Sequence, residues 1–197
     1  MIRDGMEFKD GIVTIGRELS ELDKFTLDFI KVLNRLNIKY VLISGYVSIL
    51  LGRSRSSEDI DIIIEELEKE FIDRFKDELK KNDFYCLNAD DDTIYDYLSK
   101  KTPVRFAKEN NVIPNMEMKF PKDKIDNISM DRRIKVVLND EEIYISQLDL
   151  QIAFKEEILK SPKDMEDAKH IREVVKDNID DSEIERYKEM LHGMEGR

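Results

Sequence analysis

The 197-residue chain has one cysteine and two histidines, and each shortage closes off a class of chemistry. Cys86 alone cannot make an internal disulfide, and no cluster of cysteine and histidine has the spacing of a zinc site. Neither His170 nor His192 has the Ser or Cys arrangement of a nucleophilic triad. No apolar run reaches the ~18 residues of a membrane span, and the opening MIRDGMEFKDG lacks the apolar core of a signal peptide. A soluble, cytoplasmic protein with no membrane partner is expected. Bases are outnumbered by acids, 33 to 44, for a net charge of −11. Broad nucleic-acid binding needs a basic footprint and is therefore not expected, although a small local basic pocket is allowed.

What the chain does have is enough length for one domain, or one domain with a helical appendage. At this size about 70% of the unfolded surface can be buried, so a full core is expected without disulfides. Its most informative stretch runs from Tyr40 to Glu65, YVLISGYVSILLGRSRSSEDIDIIIE. Tyr40 to Ile43 reads as a buried strand, Ser44-Gly45 breaks it, and Tyr46 to Leu51 has the length of a short helix ended by Gly52. A loop of arginines and serines then leads into the strand Asp59 to Ile64.

Side chains alternate along a strand, so Asp59 and Asp61 share one face while Ile60, Ile62 and Ile64 take the other. Two steps of ~3.3 Å put the aspartate Cα atoms about 7 Å apart. Carboxylates that close repel unless a cation lies between them, and a divalent metal bridging to phosphate oxygens suits the position. No acid occurs between Val41 and Ser57, a span that holds Arg53, Arg55 and five serines. Such a loop beside paired carboxylates suits a triphosphate and its magnesium ions. A solvated strand edge and an ordinary exposed loop are the plainer readings of the same residues.

An apolar residue, a Gly/Ser pair, a gap of roughly ten residues and Asp-apolar-Asp together resemble the signature of the nucleotidyltransferase superfamily. The likeness is nearest to the AbiEii-type and MNT-type branches of toxin–antitoxin systems, whose Arg-x-Ser/Thr-x-Asp is matched by Arg55, Ser57 and Asp59. It covers Val41 to Ile64 tightly and the rest loosely. Where that family commonly has Gly-Gly or Gly-Ser, this chain has Ser44-Gly45. The resemblance implies the DNA polymerase β palm fold, a mixed β-sheet flanked by helices in an α/β (α+β) chain. It also implies a third carboxylate on a later strand, for which the sequence offers Glu117 where the family usually has aspartate; the alternative is a surface glutamate.

Elsewhere, Asp10-Gly11 marks a hairpin between Phe8 and Ile12-Val13-Thr14-Ile15. Ser20-x-x-Asp23 opens a core helix to about Leu36, and Leu67 to Leu79 is helical by pattern. Phe84 to Leu87 reads as a short strand, and Asp90-Asp91-Asp92 reads as a loop leading into the helix Thr93 to Leu98. Two hairpins follow, Pro103 to Ala107 with Val112 to Phe120, and Ile134 to Leu138 with Ile143 to Ile145. In the first, Met116, Met118 and Phe120 face away from Glu117 and Lys119. Residues 1–145 form the α/β core on this reading, and residues 146–197 a C-terminal helical lobe. Its helices run about Gln147 to Lys160, Pro162 to Lys176 and Ser182 to Met190, with a frayed tail from His192 to Arg197.

Lys155 falls on the apolar face of the first lobe helix, where an ammonium needs a counter-charge or an aqueous cleft. The family resemblance also places a lysine on such a helix, followed by a Lys-Asp-x-x-Asp-like element, here Lys163 to Asp167. Snorkelling along the surface is the alternative for Lys155. Asp164 is read as a helix cap and Asp167 as a solvated residue. Tyr46 is either a base-stacking ring or a core tyrosine.

Together these readings give a magnesium-dependent nucleotidyltransferase, with a two-metal site on Asp59, Asp61 and Glu117. Ser44, Gly45, Arg55, Ser57 and Lys155 would hold the NTP. An NMP, AMP foremost, would pass to a hydroxyl of a protein, an RNA end or a small molecule, in a toxin–antitoxin setting. The second hypothesis is a degenerate nucleotidyltransferase fold kept as an antitoxin-like binding module.

Overall fold

A computed structural model describes residues 5–195. Strands β1 (Met6–Lys9) and β2 (Ile12–Ile15) form the expected hairpin, with Asp10 and Gly11 both at positive φ, 51° and 76°. Helix α1 (Glu21–Arg35) opens on a complete capping box between Ser20 and Asp23 and buries Phe25, Phe29, Val32 and Leu33. Strand β3 (Tyr40–Ile43) turns into α2 (Gly45–Leu50), and β4 (Asp59–Ile64) runs back antiparallel beside β3.

Helix α3 (Lys69–Lys81), β5 (Phe84–Cys86), α4 (Ile94–Ser99), β6 (Val104–Lys108) and β7 (Asn115–Lys119) follow. Strand β7 begins later than the apolar residues suggest, because Val112 and Ile113 lie exposed in the connection, at 63% and 51%. The sequence reading missed the next element, α5 (Lys124–Asp131), where the Asp123 side chain accepts from the backbone N–H of Ile125 and Asp126. Strands β8 (Ile134–Leu138) and β9 (Glu141–Ile145) make the last hairpin.

The nine strands among the described residues form one mixed sheet in the order β1-β2-β8-β9-β3-β4-β7-β6-β5. The β2–β8, β9–β3 and β4–β7 pairs are parallel and the other five are antiparallel. On one face Ile60, Ile62 and Ile64 are fully buried in the main core. On the other, Val41, Ile63 and Met130 of α5 form a second small cluster, so α5 covers one end of the face that carries Asp59 and Asp61.

The segment expected as one helix from Gln147 to Lys160 is α6 (Leu148–Phe154) running into a π-helical turn, Lys155–Leu159. Lys160, at φ 52°, ends it in the left-handed region. Helix α7 (Pro162–Val175) starts on the expected Ser161 cap with proline at its first turn. Helix α8 (Asp181–Glu195) continues past His192, so the frayed tail expected there does not begin before Glu195, and its last two residues lie outside the described ones. Buried residues of α6, α7 and α8 belong to the same core as the strands.

Candidate active site

Four side chains stand in register across the sheet. Ile43 of β3 pairs with Asp61 of β4, Asp61 with Glu117 of β7, and Glu117 with Arg105 of β6. The parallel β4–β7 ladder puts Asp61 and Glu117 side by side on one face, and Asp59 is two residues along the same face. Burial, then the neighbouring Glu117 charge, pushes the Asp61 carboxyl up to about 6. Asp59 adds to that rise, while a hydrogen bond with Ser44 and the Lys119 charge oppose it. Arg105, which the sequence reading did not single out, directs Nε and Nη2 at Glu117 Oε2, at 2.7 and 2.6 Å.

Ser44 sits at the β3–α2 junction with φ 63° and ψ −131°, a backbone region that suits glycine. It is the serine, not Gly45, that occupies the strained position of the turn. Its backbone N–H donates to Gln151 Oε1 at 3.1 Å, which ties the turn to α6. Gly45 is required for a different reason. A Cβ there would stand 2.7 Å from Nη2 of Arg55 and 3.1 Å from its Cζ. Ser57 is partly buried, and its hydroxyl donates to the Asp59 carbonyl at 3.0 Å, holding the loop onto the start of β4.

The basic loop is spoken for within the protein. Arg55 Nη1 donates to Asp167 Oδ2 at 2.6 Å, and Arg53 Nε lies 2.5 Å from Asp167 Oδ1. Arg53 also reaches Glu166 at 2.7 Å. Asp167, expected on a solvated face, is instead fully buried, because α7 packs against α2 and turns this side inward. Lys155, 1% exposed, donates to the same Asp167 Oδ2 at 3.0 Å and lies 3.6 Å from Asp164. The lysine thus has the counter-charge its apolar surroundings demand, and it does not snorkel to the surface. Burial pushes the Asp167 carboxyl up, yet Lys155 and the two arginines outweigh it and hold the group below the ordinary carboxylate range. Asp164 takes part in the cap of α7 but is not itself the cap: its backbone N–H donates to Ser161 Oγ at 3.2 Å, and its carboxylate accepts from the same hydroxyl.

A cavity of about 320 Å³ opens over this face. Asp61, Glu117 and Ser44 line one side, and Ile125, Leu150, Phe154 and Leu159 of α5, α6 and the π turn make an apolar wall. Lys101, Lys119 and Lys122 also line it, none of them singled out from the sequence beyond the strand position of Lys119. Lys119 is held by Asp126, at 2.9 and 3.0 Å, and Lys101 by Glu66. Cationic groups at the cavity therefore come from lysines around β6, β7 and α5 in place of the arginine loop.

The other candidates resolve simply. Tyr46 is a core residue, fully buried, with its hydroxyl donating to Asp23 at 2.8 Å. His170 bonds the Leu51 carbonyl at 3.0 Å, and His192 pairs with Glu157 at 3.0 Å. Asp91 of the acidic run pairs with Lys80, and the run leads into α4 as a turn.

The carboxylate set fits a hard divalent cation in its chemistry: three acids share one face, and their mutual repulsion is felt at Asp61. Among the described residues no three such side chains converge as a closed metal cage, and Glu117 is turned to Arg105. Asp59 and Asp61 are thus the donors best placed for an ion.

No protein-family model matches the chain, and no curated protein sequence matches it. Several solved structures are similar to the chain, two of them as follows. One is an antigenic nucleotidyltransferase-like protein from Paracoccidioides brasiliensis, with a TM-score of 0.51 and 17% identity over 88% of each chain. The other is the antibiotic-resistance factor ANT(2'')-Ia, with a TM-score of 0.58 and 10% identity over 90% of this chain and 95% of that one. At these identities the likeness concerns the backbone arrangement. The mixed sheet with its flanking helices is accordingly a nucleotidyltransferase-like fold.

Proposed function

We propose that the protein is a metal-dependent nucleotidyltransferase, moving an NMP from an NTP to an acceptor hydroxyl. The observation that carries this reading is the row Asp61–Glu117, with Asp59 beside it, at a cavity walled by apolar residues and lysines. Asp59 and Asp61 would hold Mg²⁺, which when bound neutralises phosphate charge and orients the α-phosphorus for in-line attack. Glu117 completes the carboxylate set beside Asp61. Ser44 presents its hydroxyl to Asp61 and ties the turn to α6 through Gln151. The apolar wall of α5, α6 and the π turn excludes water and offers a surface for a base, while Lys119 and Lys122 face the cavity with positive charge.

ATP as donor, Lys155 and Arg55 as nucleotide contacts, and a toxin–antitoxin partner follow from the family resemblance and are part of the same proposal. For the arginine and lysine to reach phosphate, Asp167 would have to release them. A specific observation favours a second reading: Asp167 occupies Arg53, Arg55 and Lys155, and Arg105 occupies Glu117, as in a retired site kept for binding.

Incubation with each α-labelled NTP, Mg²⁺ and lysate distinguishes them. Transfer of label by the wild type and its loss in both Asp59→Asn and Asp61→Asn supports the enzyme. No transfer and no Mg²⁺-dependent nucleotide binding supports the binding module.

A further inference from the structure

We infer that Arg105 is a built-in counter-cation for the third carboxylate, so that the site takes one divalent ion where a three-carboxylate face suggests two. The inference rests on the proposed metal-dependent reading and specifies how that site is charged. Arg105 is aligned by the sheet itself: the β6–β7 register sets it opposite Glu117, as the β4–β7 register sets Glu117 opposite Asp61. Two of its nitrogens, Nε and Nη2, converge on the single oxygen Oε2 at 2.7 and 2.6 Å. A metal ion using that oxygen would have to displace both.

Packing does not explain the arginine, whose side chain is half exposed at 50%. Its charge is felt along the row, since Glu117 first, and Asp59 and Asp61 further off, all favour the guanidinium. Exposed ion pairs contribute little to stability, so the pair's consequence lies in charge placement. Before nucleotide binds, Asp59, Asp61 and Glu117 carry three negative charges when ionised, Arg105 carries one positive charge, and one divalent ion balances the remaining two. A second ion at Glu117 would have to take Oε2 from a guanidinium that cannot lose its proton and that already holds it through two nitrogens. Arg105 is on this account a positioning residue, acting through Glu117.

The test counts ions and does not depend on turnover. Mn²⁺ is titrated into wild type, Arg105→Met and Arg105→Lys, with a non-hydrolysable ATP analogue present, and free Mn²⁺ is read by electron paramagnetic resonance. Wild type is expected to saturate at one ion per chain. Arg105→Met is expected to bind a second ion at least tenfold more tightly than wild type does. Arg105→Lys keeps the charge and is expected to stay at one. Two ions in the wild type, an unchanged count in Arg105→Met, or a second ion in Arg105→Lys overturns the inference and leaves the proposed activity standing. Absence of any bound ion in the wild type overturns both.

Discussion

Gly45 lies directly beneath the guanidinium of Arg55, close enough that a methyl group on the glycine would meet Nη2 at 2.7 Å. The arginine cannot simply swing away, because its other terminal nitrogen is fixed to a buried carboxylate at 2.6 Å. The glycine of the turn is therefore matched to the arginine of the loop.

Gly45→Ala is expected to destabilise the protein by about 1–3 kcal/mol, the usual cost of overpacking. The same change in an Arg55→Ala background is expected to be nearly neutral. Urea denaturation of the double-mutant cycle measures the coupling, and additive effects would refute the contact as the cause.

Asp167→Asn leaves Lys155, Arg53 and Arg55 around a neutral amide, with Lys155 almost wholly buried. A loss of about 3–5 kcal/mol is expected, the range for breaking a buried ion pair on one side. Because the folded-state carboxyl is held low, its contribution is present above the ordinary aspartate range and disappears as pH falls through the lowered value. The stability gap between wild type and Asp167→Asn should therefore shrink on acidification; a gap independent of pH would point to shape alone.

Asp61 has the opposite sign. Its folded-state pKa is raised to about 6, so metal-free protein loses stability as pH climbs from about 4 to about 6. Asp61→Asn is expected to melt higher than wild type at pH 8 without divalent ions, by about 1–3 kcal/mol. The difference should narrow toward pH 4.5. Added Mn²⁺ with nucleotide should raise the midpoint of the wild type and leave that of the variant unmoved. Equal midpoints at pH 8 would mean that the carboxylates do not strain one another.

Ser44→Gly removes a Cβ from a backbone of φ 63° and ψ −131°. The relief is expected to be about 1 kcal/mol, offset in part by the lost hydroxyl contact with Asp61. Thermal unfolding decides it, and a clear destabilisation would show the hydroxyl to outweigh the strain.

The strand carrying Asp59 and Asp61 was readable because alternation is a local property, and Ile60, Ile62 and Ile64 on its other face are all fully buried. The partners of those aspartates were less so. That Glu117 stands beside Asp61, and Arg105 beside Glu117, is a matter of register between strands, which tertiary packing sets. Lys155 was correctly placed on an apolar face, but its counter-charge, Asp167, was read as a solvated residue. A signal did exist: Asp167, Ile171 and Val175 recur every four residues, and all three are buried. Helix α5 was missed because it is short and only its Asp123 cap marks the start. The branch likeness to AbiEii-type and MNT-type proteins rests on local residues alone, whereas the backbone arrangement extends to most of the chain.

The sheet order has a consequence for how the protein is made. Asp61 acquires its neighbour only when β7 docks, and Arg55 finds its carboxylate 112 residues further along. A ribosome that has released β4 has therefore produced two repelling aspartates and an unpartnered basic loop, with nothing yet to hold them in place. The face is assembled from segments of high sequence separation, which close slowly and late. Any nascent or truncated chain ending before α7 lacks the clasp that holds its basic loop.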